Sequence, residues 1–196
     1  MKSIESLNQD LQTPEICLHN IRLGVHLRDV RKDLRTEEIC LEAVKRNERD
    51  IVYVPEEVLT EEMVRIAAVF ITTCRGYLAL IPSKFKTDDF YIEAISRINI
   101  MNDVRILLIN LPKERRNFNI CLAAVSKFGM ALSCVPRVHR TDELCLIAVK
   151  NNGLALRYVN NPTLEICIAA IDNNEEAIKY VPEEFMTKLG VNKKWA

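Results

Sequence analysis

The chain has 196 residues with 27 basic and 27 acidic side chains, so it carries no formal net charge. That balance excludes a whole-molecule electrostatic attraction to nucleic acid or to anionic lipid. Glycine is scarce, 48% of the residues are hydrophobic, and leucine, isoleucine, alanine and glutamate are plentiful, which is an all-helical composition.

No apolar run approaches the ~18 residues of a bilayer-spanning helix. The first residues lack the apolar core of a secretory signal. With seven cysteines and no such signal, the expectation is free thiols in a reducing compartment, either a cytoplasm or a host cytosol into which the protein is delivered.

Residues 1–12 place Ile4, Leu7 and Leu11 on one helical face, the pattern of an N-terminal capping helix. Thr13 then opens the first of seven related units. The later ones start at Thr36, Thr60, Thr87, Asn117, Thr141 and Thr163, at intervals of 22 to 30 residues. A threonine or asparagine oxygen accepts from orphan amides at a helix start, and the acids that usually follow favour the positive end of the helix dipole. Pro14 stands at the first helical position, where its missing N–H costs nothing.

Counted from each of these caps, positions three, four, five, seven and eight are mostly apolar, a wide arc suited to a helix with neighbours on both sides. Position seven is small in six of the seven copies: Ala43, Ala67, Ala94, Ala124, Ala148 and Ala170, with Asn20 in the first. A polar or glycine break follows, as at Asn152-Gly153. A second apolar segment of about six residues, α or 3₁₀, then ends in valine-proline or a similar pair. The proline stops that segment and turns the chain toward the next cap. Two units are overlong, the third around Thr72, Arg75 and Tyr77 and the fourth at Asn99, Met101 and Asn102. Insertions of this kind fall on loops and often mark a binding face, so these six residues form one candidate surface; the plain alternative is a longer helix pair with no role. Residues 183–196 are a C-terminal cap or a tail, with Leu189 and Trp195 as candidate covers.

The spacing predicts one elongated domain over residues 1–196, with seven repeats over 13–182. The architecture is a right-handed all-α solenoid of about seven short, ~24-residue helix pairs.

Thr-x-Glu-Ile/Leu-Cys-Leu-x-Ala-Val-x-x-Asn-Gly-x-Ala-Leu-x-Tyr-Val-Pro resembles the repeat of the domain of unknown function 4116 family. Thr141–Val159 follows it almost throughout. Thr36–Pro55 and Thr163–Pro182 follow it well, and Asn117–Pro136 less fully. The units at Thr60 and Thr87 depart most, and the first has Asp29-Val30-Arg31 in place of Tyr-Val-Pro. The resemblance implies tandem helical repeats, found largely in bacterial, protist and giant-virus proteins, some of them effector-like. It implies no activity.

Chemistry-bearing residues are read against the repeat. Cys17, Cys40, Cys121, Cys145 and Cys167 all stand at position four, where a small polarizable packing residue is the plain reading and a row of ligands the sharp one. No C-x₂-C pair is present for zinc, so no cofactor or metal is expected. Cys17 and His19 are two apart on a helix and point to different faces, which argues against a nucleophile–base pair. No nucleotide-binding or hydrolase fingerprint appears.

Two surface candidates remain. Arg35, Lys86, Arg115, Arg116, Arg137 and Arg140 collect in the turns before the caps, as a ridge able to track phosphates or as charges neutralised by the adjacent acids. Position six turns apolar at Ile66, Ala123, Ile147 and Ala169, a stripe for a partner helix or peptide unless curvature buries it. The expected function is a non-enzymatic protein-binding scaffold. The alternatives are a nucleic-acid binder using the basic ridge and an enzyme with a dispersed site near the two overlong units.

Overall fold

The computed structural model describes residues 12–74 and 76–189. The expected N-terminal capping helix (apart from Gln12), Arg75 and Trp195 lie outside them. Among the described residues the fold is all helical, with no strand. They fall into two compact units, Met1–Ala94 and Ile95–Ala196.

All seven expected caps form. The amide three residues on donates to the Oγ1 of Thr13, Thr36, Thr60, Thr87, Thr141 and Thr163, and to the Oδ1 of Asn117, over 3.1 to 3.4 Å. In the first unit these caps open α1 (Pro14–Arg22), α2 (Glu37–Arg46) and α3 (Glu61–Ile66). The third repeat's helix is interrupted at Ala67 and resumes as α4 (Ala68–Thr73). Gly76, at φ +92, then starts α5 (Tyr77–Leu80) from a left-handed conformation that only glycine adopts at little cost. The fourth cap opens α6 (Asp88–Arg97). Next come α7 (Met101–Asn110), α8 (Phe118–Lys127), α9 (Asp142–Asn151), α10 (Leu164–Asn173) and the single turn α11 (Glu183–Met186).

The second element of the regular repeats is a six-residue 3₁₀ helix: Glu48–Tyr53, Gly129–Cys134, Gly153–Tyr158 and Glu175–Tyr180. That is long for this winding, whose runs rarely exceed about four residues. Asn47, Asn152 and Asn174 each cap one by accepting the amide two residues on. After the proline the chain makes one more 3₁₀ turn before the next cap, at Glu56–Val58, Ser83–Phe85, Lys113–Arg115 and Arg137–His139.

Burial corrects the expected apolar arc. Positions three, four, seven and eight make the core, as in Ile120, Cys121, Ala124 and Val125, or Leu144, Cys145, Ala148 and Val149. Position five does not belong to it. Leu122 and Leu146 are half-buried, and Ile168 is 41% exposed. Each core leucine or isoleucine contributes about 1.5–3 kcal/mol of apolar burial.

In the second unit α8, α9 and α10 pack side by side in chain order, and the 3₁₀ helices after them form a second layer. α7 takes the place of a 3₁₀ segment in that layer, against Gly129–Cys134. Neighbouring repeats are tied together at position ten. Asn151 Nδ2 donates to Ser126 O (3.0 Å) while its Oδ1 accepts from Gly129 N–H (2.7 Å). Asn173 does the same with Lys150 O (2.9 Å) and Gly153 N–H (2.6 Å). Lys127 donates to Ser96 O in the equivalent place. These bonds join C-terminal ends to C-terminal ends, so successive helices run in the same direction. Gly129 and Gly153 sit where a Cβ would meet the carbonyl oxygens of Ala148 and Ala170 at 2.2 and 2.3 Å, which is why no side chain stands there.

Candidate functional site

Three of the four position-six candidates lie on the second unit. Ala123, Ile147 and Ala169 are half-buried on α8, α9 and α10, beside Leu122, Leu146 and Ile168 at position five. Because the three helices are parallel neighbours in register, these six side chains make one apolar strip, partly open to solvent. Exposed polar residues border it at position two (Asn119, Glu143, Glu165) and position nine (Ser126, Lys150, Asp172). An apolar centre with a polar border is the anatomy of a protein interface. Ile66, also half-buried, lies in the first unit at the C-terminal end of α3.

The overlong segments are helical rather than looped. Thr72 is not a surface residue. It is fully buried in α4, with Oγ1 donating to Ala68 O at 2.7 Å, a back-bond that hides the hydroxyl inside the helix. Tyr77 is half-buried at the start of α5, its ring 4.9 Å from that of Phe70. The excess of the fourth repeat is α7 itself, with Met101 and Asn102 in its first turn and Asn99 exposed just before it. Its buried face, Val104, Leu107 and Leu108, continued by Leu111 just past its end, has a helical period that the sequence displays, although the segment reads there as an insertion.

The basic candidates divide by position. Of the four that stand immediately before a cap, the three arginines are structural. Arg35 donates through Nε to Val30 O (3.0 Å) and through Nη1 to Tyr53 O (2.8 Å). Arg140 repeats the pattern with Val135 O (2.9 Å) and Tyr158 O (2.7 Å). Arg116 donates to Leu111 O and Ile109 O, both at 3.1 Å. Each guanidinium thus satisfies carbonyls at the end of a helix, a 3₁₀ helix for Arg35 and Arg140 and α7 for Arg116, and Arg35 and Arg140 bridge to the next repeat. Lys86 is half-buried in the first unit, and Arg115 and Arg137 are exposed in the second.

Gln12 occupies the same pre-cap place in the first repeat. Its Oε1 accepts from Arg31 N–H (2.9 Å) and its Nε2 donates to Asp29 O (3.1 Å). Arg31 stands where five of the other turns have Pro55, Pro82, Pro112, Pro136 and Pro182 (the sixth unit has Asn160), so it carries an N–H that proline lacks. Gln12 supplies the acceptor for that extra donor.

The position-four thiols are all buried. Burial raises each above the ordinary cysteine value, to about 11 for Cys40 and Cys121. That is the setting of inert packing thiols, not of nucleophiles. Cys17 is buried beside Gln12 Oε1 while His19 is exposed, so the two diverge. The remaining buried acid, Asp50, is 3% exposed. Its Oδ2 accepts from Leu27 N–H (3.1 Å) and its Oδ1 lies 3.2 Å from His26 Nδ1, so it caps the short 3₁₀ turn Leu27–Asp29. Among the described residues no group of three His, Cys, Asp or Glu is placed to hold a metal ion, and no helix is long and apolar enough to cross a membrane.

No curated protein and no solved structure gives a match to the chain. Residues 117–162, from the cap of α8 to the residue before the cap of α10, match the model of the family described as Domain of unknown function (DUF4116). Over that stretch, two full repeats with their Gly129 and Gly153 contacts, the chain is similar to the DUF4116 family.

Proposed function

We propose that this chain is a helical-repeat binding module, a right-handed α-solenoid of about seven short helix pairs, that holds a partner protein without catalysing a reaction. The observation that carries the reading is the strip formed by Leu122, Ala123, Leu146, Ile147, Ile168 and Ala169 on three parallel helices, part-exposed and bordered by polar residues. A partner helix or extended segment lies across it, and the three helix faces give it a periodic set of apolar contacts. The seven free thiols suit a reducing, cytosolic setting.

The test is affinity capture from the native host with the full chain as bait, read by mass spectrometry and repeated with Ile147→Asp and Ala169→Asp. A carboxylate in the strip is expected to weaken capture of the true partner at least about tenfold, because a desolvated charge has no counterpart there. Undiminished capture by both folded variants would refute the strip as the site.

A further inference from the structure

Between the turn that follows Leu111 and the turn that follows Val135 the second unit has an open groove of about 520 Å³. It is lined by Lys113, Glu114, Arg116, Cys134, Val135, Pro136, Val138 and His139. Val138 is 80% exposed, more than any other large apolar side chain among the described residues. Its neighbours Val135 and Pro136 continue the apolar surface inward.

The rim is basic. Arg116 is held by backbone carbonyls, but Lys113 and Arg137 have no ion-pair partner among the described residues. The acids that follow the other basic turns at the next helix start are also missing after Lys113. Acids open α2, α6 and α9 (Glu37 and Glu38, Asp88 and Asp89, Asp142 and Glu143), whereas the first turn of α8 has none. Glu114 is the only acid in the lining.

The repeat makes such a groove elsewhere with other chemistry. In the first unit the pocket at the equivalent turns is lined by apolar residues, among them Val54, Leu59, Tyr77 and Leu80, and its one charged residue is Glu56. A groove between turns is therefore a product of the architecture, and the basic rim distinguishes this groove from that one.

We propose that the groove at Lys113–His139 seats an acidic segment of a partner protein, with one apolar side chain of that segment anchored on Val135, Pro136 and Val138. Its carboxylates face Lys113 and His139, with exposed Arg137 between the lining residues Pro136 and Val138, so charge complementarity steers the segment and the apolar floor retains it. Nucleic acid fits less well. No phenylalanine, tyrosine or tryptophan lines the groove for base stacking, and Glu114 opposes a phosphate. The surface uses none of the residues of the α8–α10 strip, so each is tested by its own substitutions.

The experiment selects a displayed library of random 12-residue peptides on the full chain and measures the winners by fluorescence anisotropy, with a single-stranded oligonucleotide of mixed sequence as competitor. The expected winners carry an apolar residue flanked by Asp or Glu. They weaken about tenfold or more with Val138→Asp or with Lys113→Glu/Arg137→Glu, and they lose affinity as salt rises from 50 to 200 mM. All three positions are exposed, so the variants keep the fold, which circular dichroism verifies. Ile147→Asp leaves this binding unchanged. Winners without the acid-plus-apolar pattern, winners indifferent to Val138→Asp, or displacement by the oligonucleotide at comparable concentration each overturn the proposal.

Discussion

Gly153→Ala is the sharpest probe of how the repeats are joined. An added Cβ would lie 2.3 Å from Ala170 O and 3.0 Å from the Asn174 Cβ, roughly 1 Å inside ordinary contact with the oxygen. The clashing oxygen belongs to helix backbone, so no side-chain rotation relieves it. α10 and the 3₁₀ segment must separate, and that strains the 2.6 Å bond from Gly153 N–H to Asn173 Oδ1. Overpacking of this kind costs about 1–3 kcal/mol and the weakened hydrogen bond about 1 more. A loss of about 3 kcal/mol lowers the melting temperature by about 6 to 12 °C for a chain of this size. The assay is urea and thermal unfolding followed by circular dichroism, with Glu175→Ala as the control at the same register position in the last repeat. That residue is exposed, and its change is expected to stay within about 0.5 kcal/mol. If Gly153→Ala costs no more than the control, the close approach does not hold the repeats together.

Three further outcomes follow from the described bonds. Arg140→Ala removes donors to Val135 O and Tyr158 O and is expected to cost about 1–2 kcal/mol in urea unfolding, against less than about 0.5 for exposed Arg137→Ala; equal losses would show that the carbonyl bonds contribute nothing. Gln12→Leu strands Arg31 N–H and Asp29 O and should destabilise the first unit by about 1–3 kcal/mol, visible as faster amide exchange around Leu27–Arg31. Cys40 and Cys121 titrate near 11 in the folded chain against 9.0 ordinarily. The folded state thus favours the neutral thiols, and their contribution is complete below about pH 9 and is lost as pH rises from there through 11. Melting temperature should decline over that interval and the decline should shrink in the Cys40→Ala/Cys121→Ala variant, while a thiol reagent at pH 8 labels half-buried Cys74 and Cys134 first.

The caps, the proline stops and the packing cysteines were legible because each recurs from unit to unit in the same order, and recurrence separates a structural role from chance. Other features were not. Leu122 and Leu146 are as apolar as their buried neighbours, and composition does not distinguish a core position from one at the edge of an interface. Arg140 reads as surface charge, since its carbonyl partners come from backbone 5 and 18 residues away. Gly153 reads as a break in the helix, whereas its reason is the proximity of α10. At α7 the sequence leaves a loop insertion and a longer helix pair both open, because alignment to shorter sisters shows only the excess length. The apolar strip follows from the repeat register. The basic groove does not, because two turns 24 residues apart must be brought side by side before Val138 and Lys113 share a surface.

The position-ten bonds have an asymmetry with evolutionary weight. In Asn151 and Asn173 one repeat supplies the side chain, and its neighbour supplies only a backbone carbonyl and a backbone amide. Every repeat owns those backbone groups whatever its sequence, so a newly duplicated copy arrives with both halves of the joint already in hand. The only demand it makes on the copy before it is a residue without a side chain at the close approach. An array built this way can lengthen, shorten or exchange units by recombination with a matching residue needed only at that glycine. Its surface positions are then free to diverge from copy to copy.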